Sequence, residues 1–411
     1  MPPTTARRLG LGVVFICLAG TLTLGLVQKA PCLTGDWGDG RQYTRLCYTD
    51  IIPLLATEQL GGGRLPYLEP CDATAGGECD EYPVLSMWTM RLAAWVSGPE
   101  AGDFFRVNFA ILTLAAFATA LCLYLWLGGR RTLYFALAPT LLIYAFVNWD
   151  LLAVALATGA TVMYLRRRDV SAGVLLGLGA AAKIYPALLL VPFLAGRLRA
   201  REPDRATRLA WATAGSWIAV NLPFALAAPS GWWEFFRFNS ARPADWDSLW
   251  YIACHRVTGD LASCGATRTI NVVSALAFVA LLALVWRWKA SRDPGFARWT
   301  LGLPILVLFL LVNKVYSPQY SLWLLPWFAL ALPDLRLFVA FEAADVAVFV
   351  TRFSWFGELS GFGGLPIGAF EAAVVVRAAI LVVCVIAWAR RREAQPGLVV
   401  EGDPALVAAP A

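Results

Sequence analysis

Histidine is almost absent from this sequence. His255 is the only one among 411 residues. It stands apart from the nine cysteines, whose spacings match no structural zinc site. Charge is scarce as well. Asp, Glu, Lys and Arg make up 15% of the chain, against about a quarter in a soluble domain, which excludes an ordinary soluble fold. The continuous apolar runs lack polar–apolar alternation, so a membrane β-barrel is excluded too. No internal repeat is found, which counts against a transporter built from two similar halves. No small-x-small cleavage site follows the first apolar run at a suitable distance, so that run reads as an uncleaved helix.

What is present is apolar length. The chain is 59% hydrophobic, with runs long enough for helices to cross a hydrocarbon core of ~30 Å. This predicts an all-α polytopic membrane protein. The net charge of +6 is not a nucleic-acid signature. Its basic residues fall in short clusters between apolar spans, such as "GGRR" at 128–131, "RRRD" at 166–169 and "ARRRE" at 389–393, and such clusters mark cytoplasmic loops. Acidic residues concentrate instead in segment 29–104, which then lies outside.

Threading by charge gives about twelve helical segments with both termini cytoplasmic. Helices are expected at about 9–28, 105–127, 132–147 and 150–165. Segment 171–196 has basic clusters at both ends, so it is expected to form a hairpin of two short helices meeting at "AKIYP" (182–186). Further helices are expected at about 207–227, 268–288, 299–313, 319–333, 336–352 and 367–389. Residues 1–390 form one transmembrane domain in this reading. It has outer loops at 29–104 and 228–267, and a disordered cytoplasmic tail at 391–411. Cysteine usage agrees with the sidedness. Cys32, Cys47, Cys71 and Cys79 fall in the first outer loop, and Cys254 and Cys264 in the second, an even number in each. Cys71–Cys79 and Cys254–Cys264 are the local pairs, leaving Cys32–Cys47. Four cysteines allow three pairings, so the first loop stays open.

Two stretches of that loop, "CYTDIIPLLATEQL" and "PVLSMWTMRLAAWV", read as amphipathic helices lying along the membrane surface. Asp50, near the start of the first, is placed at the membrane–water boundary. A carboxylate in partly apolar surroundings gains proton affinity and can act as a general base. Lys183 would sit at depth or at the outer interface, where a cation needs a partner or water. A snorkelling anchor is the alternative. The aromatic residues of "NKVYSPQYSLWLLP" (313–326) also suit an interfacial belt.

The order of one helix, a long outer loop carrying an acid and surface helices, then many helices on short loops resembles a GT-C glycosyltransferase. More narrowly, "NWDLLAVALATGATVMYLRRRDVSAGVLLGLGAAAKIYPALLLVPFL" (148–194) resembles glycosyltransferase family 87, which includes polyprenol-phosphate-mannose-dependent α-(1→2)-mannosyltransferases of mycobacteria and related actinobacteria. The family pattern is an Asn-x-Asp opening a helix, then a Gly/Ala-rich helix ending in Lys-x-x-Pro. Asn148, Asp150, Lys183 and Pro186 occupy those positions. The resemblance implies transfer of a sugar, mannose or another such as arabinose, from a polyprenyl phosphate to a glycolipid or glycan. The reaction would occur at the outer face of the plasma membrane, without metal or other cofactor. It maps the family acid onto Asp50 and offers Lys183 first for the donor phosphate, with Lys314, Arg242 and Arg352 as alternatives. Asp36, Asp39, Glu81, Tyr82, Asn148, Asp150, Tyr316, Gln319 and Tyr320 are the candidates for substrate contact. Some relatives carry histidine where this chain has Gln319 and Tyr320, a departure that bears on donor or acceptor. The rival from another class is a twelve-helix lipid or sugar transporter. It would place polar residues in mid-helix, whereas here the ionisable residues are expected mostly at outer helix ends.

Overall fold

The fold is known from a computed structural model that describes residues 4–34, 36–72, 79–261 and 265–392. The described residues are helical or irregular, with no strand. The apolar run after the basic N-terminal residues forms α1 (Thr4–Lys29), which closes near Pro31. The loop expected to lie outside, between α1 and α5, carries three helices, α2 (Arg41–Thr44), α3 (Ile51–Thr57) and α4 (Val84–Ser97). The last two are the surface helices expected from the amphipathic stretches. After α5 (Ala101–Leu127), the expected helix at 132–147 is two pieces, α6 (Gly129–Ala136) and α7 (Pro139–Tyr144). Pro139 causes the break: it lacks an N–H, and the residue before it, Ala138, is extended at ψ 124°.

Next come α8 (Asp150–Leu165), α9 (Asp169–Ala182) and α10 (Leu190–Arg199), with a 3₁₀ turn over Tyr185–Leu189. The hairpin expected here is present. Arg197 Nε donates to Asp169 Oδ1 at 2.7 Å, so the end of α10 returns to the start of α9. Helix α11 (Pro203–Ala227) lies directly on α9, and the glycines of "AGVLLGLGA" explain how. A Cβ at Gly177 would lie 2.0 Å from Ser216 Oγ and 2.3 Å from Thr213 O. Small residues allow this backbone approach within a bundle that has no hydrophobic drive against lipid.

The chain continues through α12 (Pro229–Ala241), α13 (Leu249–Thr258), α14 (Thr267–Arg292), α15 (Gly302–Val312), α16 (Leu325–Leu330), α17 (Leu335–Leu359) and α18 (Ile367–Arg390). The expected helix at 319–333 is a 3₁₀ turn, Pro318–Trp323, followed by the short α16. Five described helices are long and apolar enough to cross a membrane: Gly10–Cys32, Ala101–Leu127, Pro203–Ala227, Thr267–Arg292 and Ile367–Arg390. The other segments of the twelve-helix reading are shorter, broken or more charged.

One expectation about charge needs correction. Glu342 and Asp345 on α17 and Arg377 on α18 are buried within the bundle, not gathered at outer helix ends. Asp345 accepts from Ser321 Oγ at 2.6 Å, Thr140 Oγ1 at 3.0 Å and Arg377 Nη1 at 3.0 Å. Glu342 accepts the Thr140 N–H at the start of α7 at 2.7 Å. Glu342 thus caps a backbone N–H that the break at Pro139 leaves without a helical partner.

The outer loop is held by disulfides Cys32–Cys47 and Cys71–Cys79. Cys264, the expected partner of Cys254, lies outside the described residues, as does the expected disordered tail from residue 393 onward. Within the loop, the buried Arg64 grips Asp80 through both Nη atoms, at 3.0 and 2.9 Å, and reaches Glu58 Oε2 at 3.4 Å. The clasp fixes segment 79–82, whose Tyr82 carbonyl also accepts the Tyr67 hydroxyl. Removing one member of a buried ion pair leaves the other charge desolvated, at a cost of about 3–5 kcal/mol. Arg64→Met is therefore expected to destabilise the protein by about 3 kcal/mol, measured by thermal unfolding in detergent; an unchanged midpoint would refute the clasp.

Candidate active site

Four connections meet at one end of the bundle: the extended segment 47–50, segment 79–82, the turn between α7 and α8, and the turn between α15 and α16. The extended segment 47–50 is pinned from both sides. Lys29 Nζ donates to Tyr48 O at 2.7 Å. On the other side Thr49 Oγ1 donates to Phe146 O at 2.7 Å and Asp50 N to Val147 O at 2.8 Å. Those bonds bring Asp50 to the Asn-x-Asp turn. There Asn148 Nδ2 donates to Asp50 Oδ2 at 2.9 Å and to the Tyr82 hydroxyl at 2.7 Å. Asn148 Oδ1 accepts the Trp149 N–H at 2.6 Å, which fixes the amide so that its NH₂ faces the carboxylate.

Two residues on, Asp150 opens α8 and is fully buried. It accepts Lys183 Nζ at 3.1 Å and Trp323 Nε1 at 2.6 Å, joining the starts of α8 and the 318–323 turn to the end of α9. The Lys183 ammonium also lies 4.8 Å from the Tyr320 ring centre and 5.5 Å from that of Tyr82. Tyr320 and Tyr185 both stack on Trp323, at 4.3 and 4.1 Å between ring centres. Lys183 is thus a paired cation beneath two aromatic faces, and the motif of Asn148, Asp150 and Lys183 is one structural unit.

A second group closes the opposite side. Arg242 Nη2 pairs with Asp245 Oδ2 at 3.0 Å, and Arg352 on α17 pairs with Asp247 and lies 3.8 Å from Asp245. Lys314 Nζ donates to Ser240 O at 3.0 Å and forms no ion pair among the described residues. It is 5% exposed. Burial, and then the charge of Arg242, lowers its pKa to about 8.

The two outer carboxylates titrate in opposite directions. Burial raises the proton affinity of Asp50 above the ordinary carboxylate range. Hydrogen bonds from Asn148 and Tyr48, then the charges of Arg352 and Lys183, offset part of that rise. Burial pushes Asp245 the same way, but Arg352 and Arg242 outweigh it and hold Asp245 below the ordinary range. Asp50, Glu81, Tyr82, Lys183, Arg242 and Tyr320 are partly exposed and form the mouth side of the cluster, while Asn148, Asp150, Lys314 and Gln319 are buried.

The remaining expected residues fall elsewhere. Asp36 and Asp39 are exposed in a separate turn, where Asp36 Oδ1 accepts the Gly38 N–H and Asp39 pairs with Arg41 at 2.8 Å. Neither bonds to the Asp50 cluster. Tyr316 is one layer deeper, bonded to Ser321 at 3.1 Å and covered by Arg377 at 3.8 Å from its ring centre. Lys29, Tyr48, Asp245 and Asp247 are additional members that no motif marked. No group of three His, Cys, Asp or Glu side chains placed to hold a metal ion occurs among the described residues.

Comparison with known proteins adds an independent line. The sequence profile of glycosyltransferase family 87 matches residues 81–313. No curated protein matches the sequence. Among solved structures, ArnT from Cupriavidus metallidurans bound to undecaprenyl phosphate aligns with a TM-score of 0.46 at 14% identity, over 92% of this chain and 77% of that one. An oligosaccharyltransferase from Archaeoglobus fulgidus in the apo form aligns with a TM-score of 0.46 at 12% identity, over 95% of this chain and 57% of that one.

Asn148 orients Asp50, and misplacing a reacting group by about 1 Å can cost roughly 100-fold. Asn148→Ala is expected to lower kcat/KM for glycosyl transfer by about 100-fold with little loss of folded protein. Activity within threefold of wild type would contradict the assigned role.

Proposed function

The chain belongs to glycosyltransferase family 87, and from that premise we propose that it transfers mannose from a polyprenyl phosphate to a hydroxyl of a glycolipid or polysaccharide. The site faces outward in this reading, with both termini cytoplasmic. Nucleotide sugars stay in the cytoplasm, so an outward-facing transferase draws its sugar from a lipid phosphate. The observation that carries the reading is the state of Asp50. Asp150, Asp245 and Asp247 each hold an ion pair. Asp50 is held by a neutral amide instead and lies at the mouth.

In the proposed reaction Asp50 takes the proton of the acceptor hydroxyl. The acceptor oxygen then bonds to the anomeric carbon from the face opposite the phosphate. The bond between that carbon and the phosphate oxygen breaks, and its electron pair leaves with the polyprenyl phosphate. One displacement inverts a β-linked donor to an α-product, so one base is enough and no covalent enzyme intermediate is needed. The leaving phosphate needs positive charge rather than a strong acid. Lys314 suits that role best, because Lys183, Arg242 and Arg352 already neutralise carboxylates of the site. Those three still contribute hydrogen-bond donors. Glu81, Tyr82 and Tyr320, at the mouth, are placed to meet the sugar hydroxyls and ring faces. The scheme uses no metal.

Membranes carrying the wild-type chain are expected to transfer radiolabelled mannose from polyprenyl-phosphate mannose to lipid. Asp50→Asn, at equal protein level, is expected to lose at least 1,000-fold; equal labelling by both chains would remove Asp50 as the base. The lysine has its own signature in pH. Lys314 binds phosphate when protonated, so kcat/KM for donor falls as pH rises through about 8. Lys314→Arg keeps its charge at any such pH and is expected to abolish that alkaline limb, while an unchanged limb would assign it to another group.

A further inference from the structure

Helix α1 ends at Lys29, whose side chain is fully buried. A buried ammonium is costly unless it is paired. Lys29 Nζ donates to the carbonyl of Tyr48 at 2.7 Å and lies 5.5 Å from the centre of the Phe349 ring. It has no ion pair among the described residues. The carboxylate whose charge acts on it is Asp50.

The neighbourhood of Asp50 gives this lysine a particular weight. The charged or titratable groups that face Asp50 are Lys29 from α1, Tyr48 from its own segment, Tyr82 from the segment before α4, Lys183 from the end of α9 and Arg352 from α17. Lys183 and Arg352 are each committed to another carboxylate, Asp150 and Asp247. Both still act on Asp50, Arg352 more than Lys183. Lys29 is the cation of the group without such a partner. It also has a mechanical role. Gln28 donates to Leu46 O, Cys32 is bonded to Cys47, and Lys29 holds Tyr48 O, so the end of α1 grips segment 46–48 directly before the base.

We propose that Lys29 is a positioning residue which fixes the segment carrying Asp50 and adds its charge to those of Arg352 and Lys183 in keeping that carboxylate ionised for proton abstraction. The inference rests on Asp50 acting as the base. Lys29 does not touch substrate. It is enclosed beneath the segment, and its charge reaches the reaction through Asp50. The charge offsets the effect of burial, which favours the protonated and inactive form of the carboxylate. Removing the cation therefore raises the proton affinity of Asp50, and the acid limb of the rate profile moves to higher pH.

The test is kcat/KM against pH for the purified full chain with polyprenyl-phosphate mannose, comparing wild type with Lys29→Met, Lys29→Gln and Lys29→Arg. Lys29→Gln keeps a donor for Tyr48 O while removing the charge, and serves even if Lys29→Met fails to fold. The acid limb is expected to move up by about one pH unit in the Met and Gln variants, the low end of the effect of a nearby opposite charge on a carboxylate. Lys29→Arg is expected to keep the wild-type limb. A uniform loss across pH with an unmoved limb in the neutral variants would overturn the proposal, as would a limb displaced equally in the Arg variant. Asp50→Asn separates the two claims. Transfer that survives in Asp50→Asn refutes the assignment of the base, whereas an inactive Asp50→Asn together with an unmoved limb in Lys29→Gln refutes only the role of Lys29.

Discussion

The Asn148 side chain donates to both Asp50 and the Tyr82 hydroxyl, and this end of the molecule is organised around those two hydrogen bonds. They join segments 98 and 66 residues away in sequence to the first turn of α8. Other features make this junction possible. The Cys32–Cys47 disulfide and the end of α1 bring segment 46–50 to it, and the Arg64 clasp brings segment 79–82. The glycine contacts between α9 and α11 fix the far side, where Lys183 closes on Asp150. Each is a backbone-positioning device, and together they hold the Asp50 carboxylate at the edge of an apolar bundle.

Burying charge at such an edge is costly, and the molecule meets most of that cost by pairing. Lys183 with Asp150, Arg242 with Asp245, Arg352 with Asp247 and Arg377 with Asp345 form a connected set of compensated ions. Paired ions of this kind confer little net stability but strongly disfavour any arrangement that separates them. Against this compensated background, Asp50, Lys29 and Lys314 stand without an ion pair among the described residues. In the proposed reaction these are the groups that handle charge: one accepts a proton, one sustains the acceptor, and one receives the phosphate.

Much of this was legible before the structure, for identifiable reasons. Asn148, Asp150, Lys183 and Pro186 follow a local pattern, and Asp50 was conspicuous as an acid in an apolar setting. The hairpin at 171–196 followed from basic clusters at both of its ends. What stayed hidden depended on tertiary placement. Lys29 reads as the ordinary basic end of a helix until segment 46–48 folds across it. Asp245 and Asp247 sit in a tryptophan-rich loop whose residues suit membrane anchoring equally well. Asp36 and Asp39 were candidates for substrate contact, yet their turn satisfies itself locally with Gly38 and Arg41. The buried charges of α17 were missed because apolar averages dilute single ionisable residues, and the helix break at Pro139 that Glu342 serves was read through as continuous. In the first outer loop the cysteine count left three pairings open. The folded loop contains Cys32–Cys47 and Cys71–Cys79, with Cα atoms 5.6 and 5.8 Å apart.

The most direct test of the account is an experimental structure of the full chain in a lipid nanodisc with a polyprenyl phosphate. The phosphate is expected between Lys314 and Arg242, with room beside it for a sugar whose anomeric carbon faces Asp50. A phosphate bound instead at the opposite end of the bundle, near Arg197 and Arg205, would contradict the assignment of the site and the sidedness of the reaction together.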